Sequence, residues 1–190
     1  MKTNTSLKIG LVAVIAFASF AFTSIVNKEV KITESTINWK GYKVAGEHSG
    51  TINLKEGVLS FEGDKLVGGN IVIDMASIKV TDMEGEYADN LAGHLKADDF
   101  FGTEKFPTAT LKFTKLSGHG AHYHITADLT MKGITSPVSF EMKVEANSAT
   151  AKFKIDRTKY GIKYGSASFF DDLKDKAISD QFDIDVAIKF

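Results

Sequence analysis

The sequence has 190 residues, 23 Lys and Arg against 24 Asp and Glu, and no cysteine. Near-neutral charge with no basic run excludes a surface built to hold nucleic acid or anionic membrane, and the absence of Cys excludes disulfide stapling, thiol chemistry and a lipid anchor on cysteine. Fourteen Phe, five Tyr and one Trp must therefore supply much of the core, at about 150 to 250 Å² per enclosed ring.

Lys2 and Lys8 precede an uncharged run from Ile9 to Ile25, the pattern of a secretory leader. Ser19 and Ala21 favour cleavage after Ala21, with a site just after Thr23 as the rival; residues 1–23 are read as signal peptide and 24–190 as a single exported domain. The alternative is an uncleaved anchor, since the run approaches the roughly 20 residues that cross a bilayer. Ser19, Thr23, Ser24 and the scarcity of Leu argue for cleavage, which leaves no membrane span in the mature chain. Loss of Lys2 and Lys8 moves the formal charge from −1 to −3.

From there the chain alternates apolar and polar residues, as strands with one dry and one wet face require. Ile37 and Trp39 mark the first strand. Ile52 with Leu54, and Leu59 with Phe61, flank an expected turn at Lys55-Glu56-Gly57, and Ile71, Ile73 and Met75 mark the next strand. Glu84 to Phe106 breaks the alternation: Tyr87, Leu91, Leu95 and Phe100-Phe101 have helical spacing, and Pro107 stops the helix. Alternation resumes over Ala109–Thr114 and, after the turn residues Ser117-Gly118-His119-Gly120, over Ala121–Leu129. Lys132-Gly133 with Ser136-Pro137, then Asn147-Ser148, separate Val138–Ala146 and Ala149–Asp156. Gly161–Asp180 reads as a long connection with a helical turn, and Phe182–Phe190 is the clearest strand, apolar at every second position.

Short loops require antiparallel neighbours. About eight strands without a long amphipathic helix to cover an open sheet point to an all-β, elongated antiparallel barrel with one or two short helical segments in its connections. By parity the inward wall holds Trp39, Ile52, Leu54, Phe61, Ile71, Ile73, Leu111, Phe113, Tyr123, Ile125, Leu129, Phe140, Met142, Phe153, Ile155, Ile184 and Val186. Small inward residues such as Gly69, Ala109, Ala127, Ala149 and Ala151 leave room for an apolar ligand, although the same pattern serves a fully packed core.

Catalytic and metal chemistry find little support. There is no Gly-x-Ser-x-Gly elbow and no phosphate-cradling glycine loop. Asp98-Asp99 and Asp171-Asp172 are adjacent in sequence and point apart, so they are not an acid–base couple. His119, His122 and His124 form the one dense histidine cluster, on a polar strand face and short of the three or four ordered ligands a metal site takes. The expectation is a protein without catalytic residues, cofactor or metal.

Several segments together resemble the YceI family: Ile37–Gly50 with Trp39-Lys40-Gly41 and His48-Ser49-Gly50, Gly69 and Ile71 through Ser77-Ile78, Leu91–Phe101 with His94-Leu95-Lys96, Phe106–Ala109, Ala127–Thr135 with Leu129-Thr130-Met131-Lys132-Gly133, and Ile155–Ile162. They stand in family order over essentially the whole mature chain. The resemblance implies a lipocalin-like barrel in the periplasm that binds a long-chain lipid such as a polyisoprenoid, and it admits a homodimer. It also nominates Lys43, His48, His94, Lys96 and Arg157 as contacts for a polar headgroup, Arg157 by forked contacts to a phosphate. Against each stands a structural role: a His bonded to a loop backbone, an Arg paired with a nearby acid. The rival function is a stress-response or protein-interaction module with a solid core and no stoichiometric ligand; a lipid hydrolase ranks last.

Overall fold

The computed structural model describes residues 27–190, so the leader expected over 1–23 lies outside the described residues. In chain order come β1 (Asn27–Lys31), β2 (Glu34–Lys43), β3 (Gly46–Glu62), β4 (Lys65–Val80), α1 (Glu86–Lys96), β5 (Thr108–His119), β6 (His122–Met131), β7 (Ile134–Val144), β8 (Ser148–Asp156) and β9 (Gln181–Lys189). Two single 3₁₀ turns, Arg157–Tyr160 and Lys174–Lys176, fall in the connection between β8 and β9. Strands β2 to β9 close into an eight-stranded antiparallel barrel, in the order β3-β2-β9-β8-β7-β6-β5-β4 and back to β3. The ninth strand, β1, lies along the far part of β3 in the same register as β2, with Lys31 opposite Val58 and Asn38 opposite Thr51.

The expected turn at Lys55-Glu56-Gly57 does not form. β3 runs through it, and the register against β4 shifts between Leu54 and Glu56. One extra residue there is a bulge. It moves the inward set from Ile52 and Leu54 to Gly57, Leu59 and Phe61, so an apolar pattern that changes parity mimics two strands and a turn. The real turn is at Gly63-Asp64, where Gly63 takes φ 60°. A shift between Phe113 and Lys115 likewise changes parity in β5.

β7 and β8 pair only through Met142–Ala151, Lys143–Thr150 and Val144–Ala149. Further along the two strands part. Pro137, which has no N–H to give a ladder, sits in the stretch of β7 that pairs with β6 but not with β8. Phe140 and Phe153 stack across the gap at 4.6 Å, and the Tyr160 hydroxyl donates to Ser136 O at 3.3 Å.

The ends of the barrel differ. At one, the β3–β4, β5–β6 and β7–β8 hairpins surround a solid plug: Leu59, Leu66, Ile125 and Ala127 are fully buried. There the Leu66 N–H donates to the Tyr123 hydroxyl at 3.1 Å and the Phe61 ring lies 5.6 Å from Phe190. Gly69 belongs to this plug: a Cβ on it would lie 2.6 Å from the Phe113 ring, so its smallness seats an aromatic rather than leaving space. At the other end α1 packs on β4, burying Leu95, and the chain after it turns Phe100 and Phe101 inward, edge to face at 5.0 Å. Acidic Glu86 and Asp89 in the first turn of α1, with His94 and Lys96 in the last, suit the helix dipole.

Candidate functional site

Between plug and helix the interior is hollow. A cavity of about 170 Å³ runs from Ile188, Phe113 and Met142 on the plug side to Phe182, Tyr42 and Arg157 at the other end. Six residues of β9 separate Ile188 from Phe182, about 20 Å along the strand. So small a volume drawn out over that length is a slender tunnel. Its wall is almost wholly aliphatic and aromatic. It approaches the surface beside Tyr42, Ser179 and Phe182, where Ser179 is exposed.

Of the seventeen wall residues read by parity, all but Phe61, Tyr123 and Ile125 border the cavity; those three lie in the packed cluster at the plugged end. Ala109 and Ala151 also border it, whereas Ala127 and Ala149 are buried in the plug. Sequence reading missed Ile37, Met75, Met131, Phe182 and Ile188, each of which shares strand parity with a named neighbour. It also missed Ile78, which follows the irregular stretch where the β3–β4 register jumps between Thr51 and Asn53. Ser77 holds that stretch, its hydroxyl donating to Asp74 O at 2.6 Å and accepting from Asn53 N–H at 2.8 Å. Leu95, Phe100, Phe101 and Ile178 come from the connections, where strand parity carries no signal.

The five residues nominated for a headgroup do not converge. Lys43 is exposed in β2 next to the β2–β3 turn, and Lys96 is partly exposed at the end of α1. His48 Nδ1 lies 2.9 Å from Asp82 Oδ2. Burial raises the Asp82 carboxyl, but hydrogen bonds from His48 and the backbone of Ser49 and Asp82 outweigh it, so the group ionises below its ordinary range. His94 packs between Phe100 and Tyr164, with ring centroids 5.5 and 4.5 Å away, and its Nε2 is buried without a hydrogen-bond partner. These four lie outside the cavity wall.

Arg157 borders the cavity, and it is buried to 2 % exposure. Its Nε donates to Ser179 O at 2.9 Å, Nη1 to Ile162 O at 2.9 Å and Nη2 to Ile178 O at 3.0 Å. Asp180 stands 3.7 Å from Nη2. Burial pulls the guanidinium pKa down against the opposing pull of Asp180 and Asp156, yet arginine remains a cation throughout the accessible range. The forked donors are thus directed at backbone carbonyls of the β8–β9 connection. Across the rim, the Tyr42 hydroxyl donates to Asp183 Oδ2 at 2.7 Å, and Lys154 also donates to Asp183. Lys154 and Tyr42 hold that carboxylate below its usual range.

Elsewhere, His124 Nδ1 lies 2.8 Å from Glu141 on the exposed face, and no group of three metal-ligating side chains occurs among the described residues. Nor is any helix among them long and apolar enough to cross a membrane.

An eight-stranded antiparallel barrel with an apolar lumen, stopped at one end and capped by a helix and a long connection at the other, is the lipocalin-like architecture. The YceI-like domain profile matches residues 24–190, and the chain belongs to the YceI family. A UPF0312 protein of Photorhabdus laumondii is 36% identical over 69 residues, covering 36% of this chain and 33% of the relative. Protein YceI of Escherichia coli O157:H7 is 32% identical over 100 residues, 50% of this chain and 48% of the relative. The alignments thus span a third to a half of the length of these relatives. Among solved structures, Burkholderia cenocepacia BcnA superposes with a TM-score of 0.64 at 17% identity, covering 81% of this chain and 94% of that one. A polyisoprenoid-binding domain from Saccharophagus degradans gives 0.57 at 15% identity, covering 87% and 97%. At such identities the superpositions establish the fold.

Proposed function

We propose that this protein binds one long-chain apolar molecule, a polyisoprenoid, quinone precursor or similar lipid, threaded into the barrel, and that after export it carries this cargo in the periplasm without chemical change. The observation that carries the reading is the slender apolar tunnel, about 20 Å along β9 and stopped at one end by the Leu59–Tyr123 plug. Each CH₂ moved from water into such a lumen contributes about 0.8 kcal/mol, so a chain filling it needs few polar contacts to bind tightly. The Saccharophagus neighbour, described as a polyisoprenoid-binding domain, supports the same class of ligand.

The test is native purification followed by solvent extraction and mass spectrometry, with geranylgeraniol added to delipidated protein in parallel. Emission of Trp39, the single tryptophan and a wall residue, reports occupancy. A near-stoichiometric lipid, or saturable uptake with a shift in Trp39 emission, is expected. Absence of both a co-purified lipid and any uptake overturns the proposal.

A further inference from the structure

The tunnel has to be filled through some part of the wall, and the β8–β9 connection borders it without belonging to any strand, although Ile162 and Ser166 anchor its first half in the interior. Between Gly161 and Asp180 it contributes no strand and no α-helix, only the turn at Lys174–Lys176. Ile178 and Ser179 of this segment nevertheless roof the cavity beside Tyr42. Along its edge the segment is held to β2 by a short ladder: Val44 N–H donates to Ala177 O at 3.1 Å and Ser179 N–H to Tyr42 O at 2.8 Å. Much of its outer surface is exposed, including Tyr164, Phe169 and Phe170, each about half accessible. Of the three non-glycine residues with positive φ among those described, two, Asp172 and Lys174, lie here. Such conformations store strain and recur in segments that move.

We infer that Gly161–Asp180 is the lid through which the apolar ligand enters and leaves, opening by parting Ala177–Ser179 from Tyr42–Val44, and that Arg157 is its latch. The guanidinium binds both ends of the segment at once, Ile162 O at its start and Ile178 O and Ser179 O at its close. It draws the neck of the loop together over the cavity while standing on the wall itself. Opening exchanges these three hydrogen bonds and the two ladder bonds for water, which leaves the barrel strands intact. Arg157 is thus a positioning residue for the lid. The inference rests on the lipid-binding reading of the same cavity.

The cysteine-free chain allows a direct test. Val44 and Ala177 face each other across the ladder; Cα atoms so placed lie about 5.5 Å apart, within the range a disulfide spans. Neither borders the cavity. In V44C/A177C, oxidation is expected to slow geranylgeraniol uptake by more than an order of magnitude, read by Trp39 emission in stopped flow, and reduction to restore the wild-type rate in the same sample. A disulfide in H122C/K143C, across β6 and β7 at the plugged end, is expected to leave the rate unchanged. Equal rates for oxidised and reduced V44C/A177C overturn the lid and leave the binding proposal standing. Absence of uptake by the wild type overturns both. Should the double variant misfold, hydrogen exchange of the wild type decides: the Val44 and Ser179 amides, which donate across the ladder, are expected to exchange well before those of β6, and equal protection overturns the lid.

Discussion

Arg157 and Tyr160 stand three residues apart in sequence, both enclosed, at the start of the β8–β9 connection. Arg157→Ala leaves the buried Ile162 carbonyl, and the Ile178 and Ser179 carbonyls of two part-buried bonds, without their donor and opens a void beneath the Phe100 ring, whose centroid lies 5.7 Å from the guanidinium. Each orphaned acceptor costs about 1 to 3 kcal/mol where water does not reach it. The substitution is expected to destabilise by on the order of 3 kcal/mol in urea denaturation. Burial pushes the Tyr160 phenol up from 10.0 to about 12. The unfolded chain therefore loses this proton before the folded one does, and the stabilisation, complete below about pH 10, declines as pH rises toward about 12. Tyr160→Phe is expected to remove this component, flattening the fall in denaturation midpoint between about pH 10 and about pH 12 relative to wild type.

Individual strands were legible in the sequence wherever alternation holds without interruption, as in β6, β8 and β9. Legibility failed where a bulge changes parity: β3 read as two strands because Leu54 and Leu59 point the same way with an even number of residues, four, between them. The Ser77 stretch hid Ile78 for the same reason, and no residue type announces either irregularity. Gly50 shows what holds the β2–β3–β4 edge together. A Cβ there would lie 1.8 Å from Lys79 O and 2.7 Å from the Trp39 ring. Gly50→Ala is expected to force β3 from β4 and shift Trp39, at a cost of about 2 to 4 kcal/mol, with Trp39 emission changed in the native state before any denaturant is added.

The closed barrel followed from counting strands and loops, and most of the cavity wall from parity, because inwardness is a local property of a strand. Which inward residues touch empty space was not legible, since hollow and solid halves use the same residue types: Phe113 and Phe140 border the cavity, whereas Phe61 and Tyr123 close the plug. The headgroup nominees failed to converge because their motifs lie on outer faces and connections, where sequence proximity says nothing about distance. Filling the lumen tests the whole arrangement. Val186 projects into it from β9, and Val186→Trp is expected to abolish isoprenoid uptake at a stability cost of about 1 to 3 kcal/mol, with the far-ultraviolet circular dichroism of the barrel retained. Uptake at wild-type affinity by this variant would place the ligand outside the barrel. The topology also sets how the molecule is oriented when held. Asn27, where β1 begins, and Phe190, whose N–H donates to Asn147 O at 3.0 Å, both lie at the plugged end. A tether, tag or neighbouring segment joined at either point attaches to the base of the molecule, so a surface carrying the protein by that base holds the opening outward, like a cup standing on its foot.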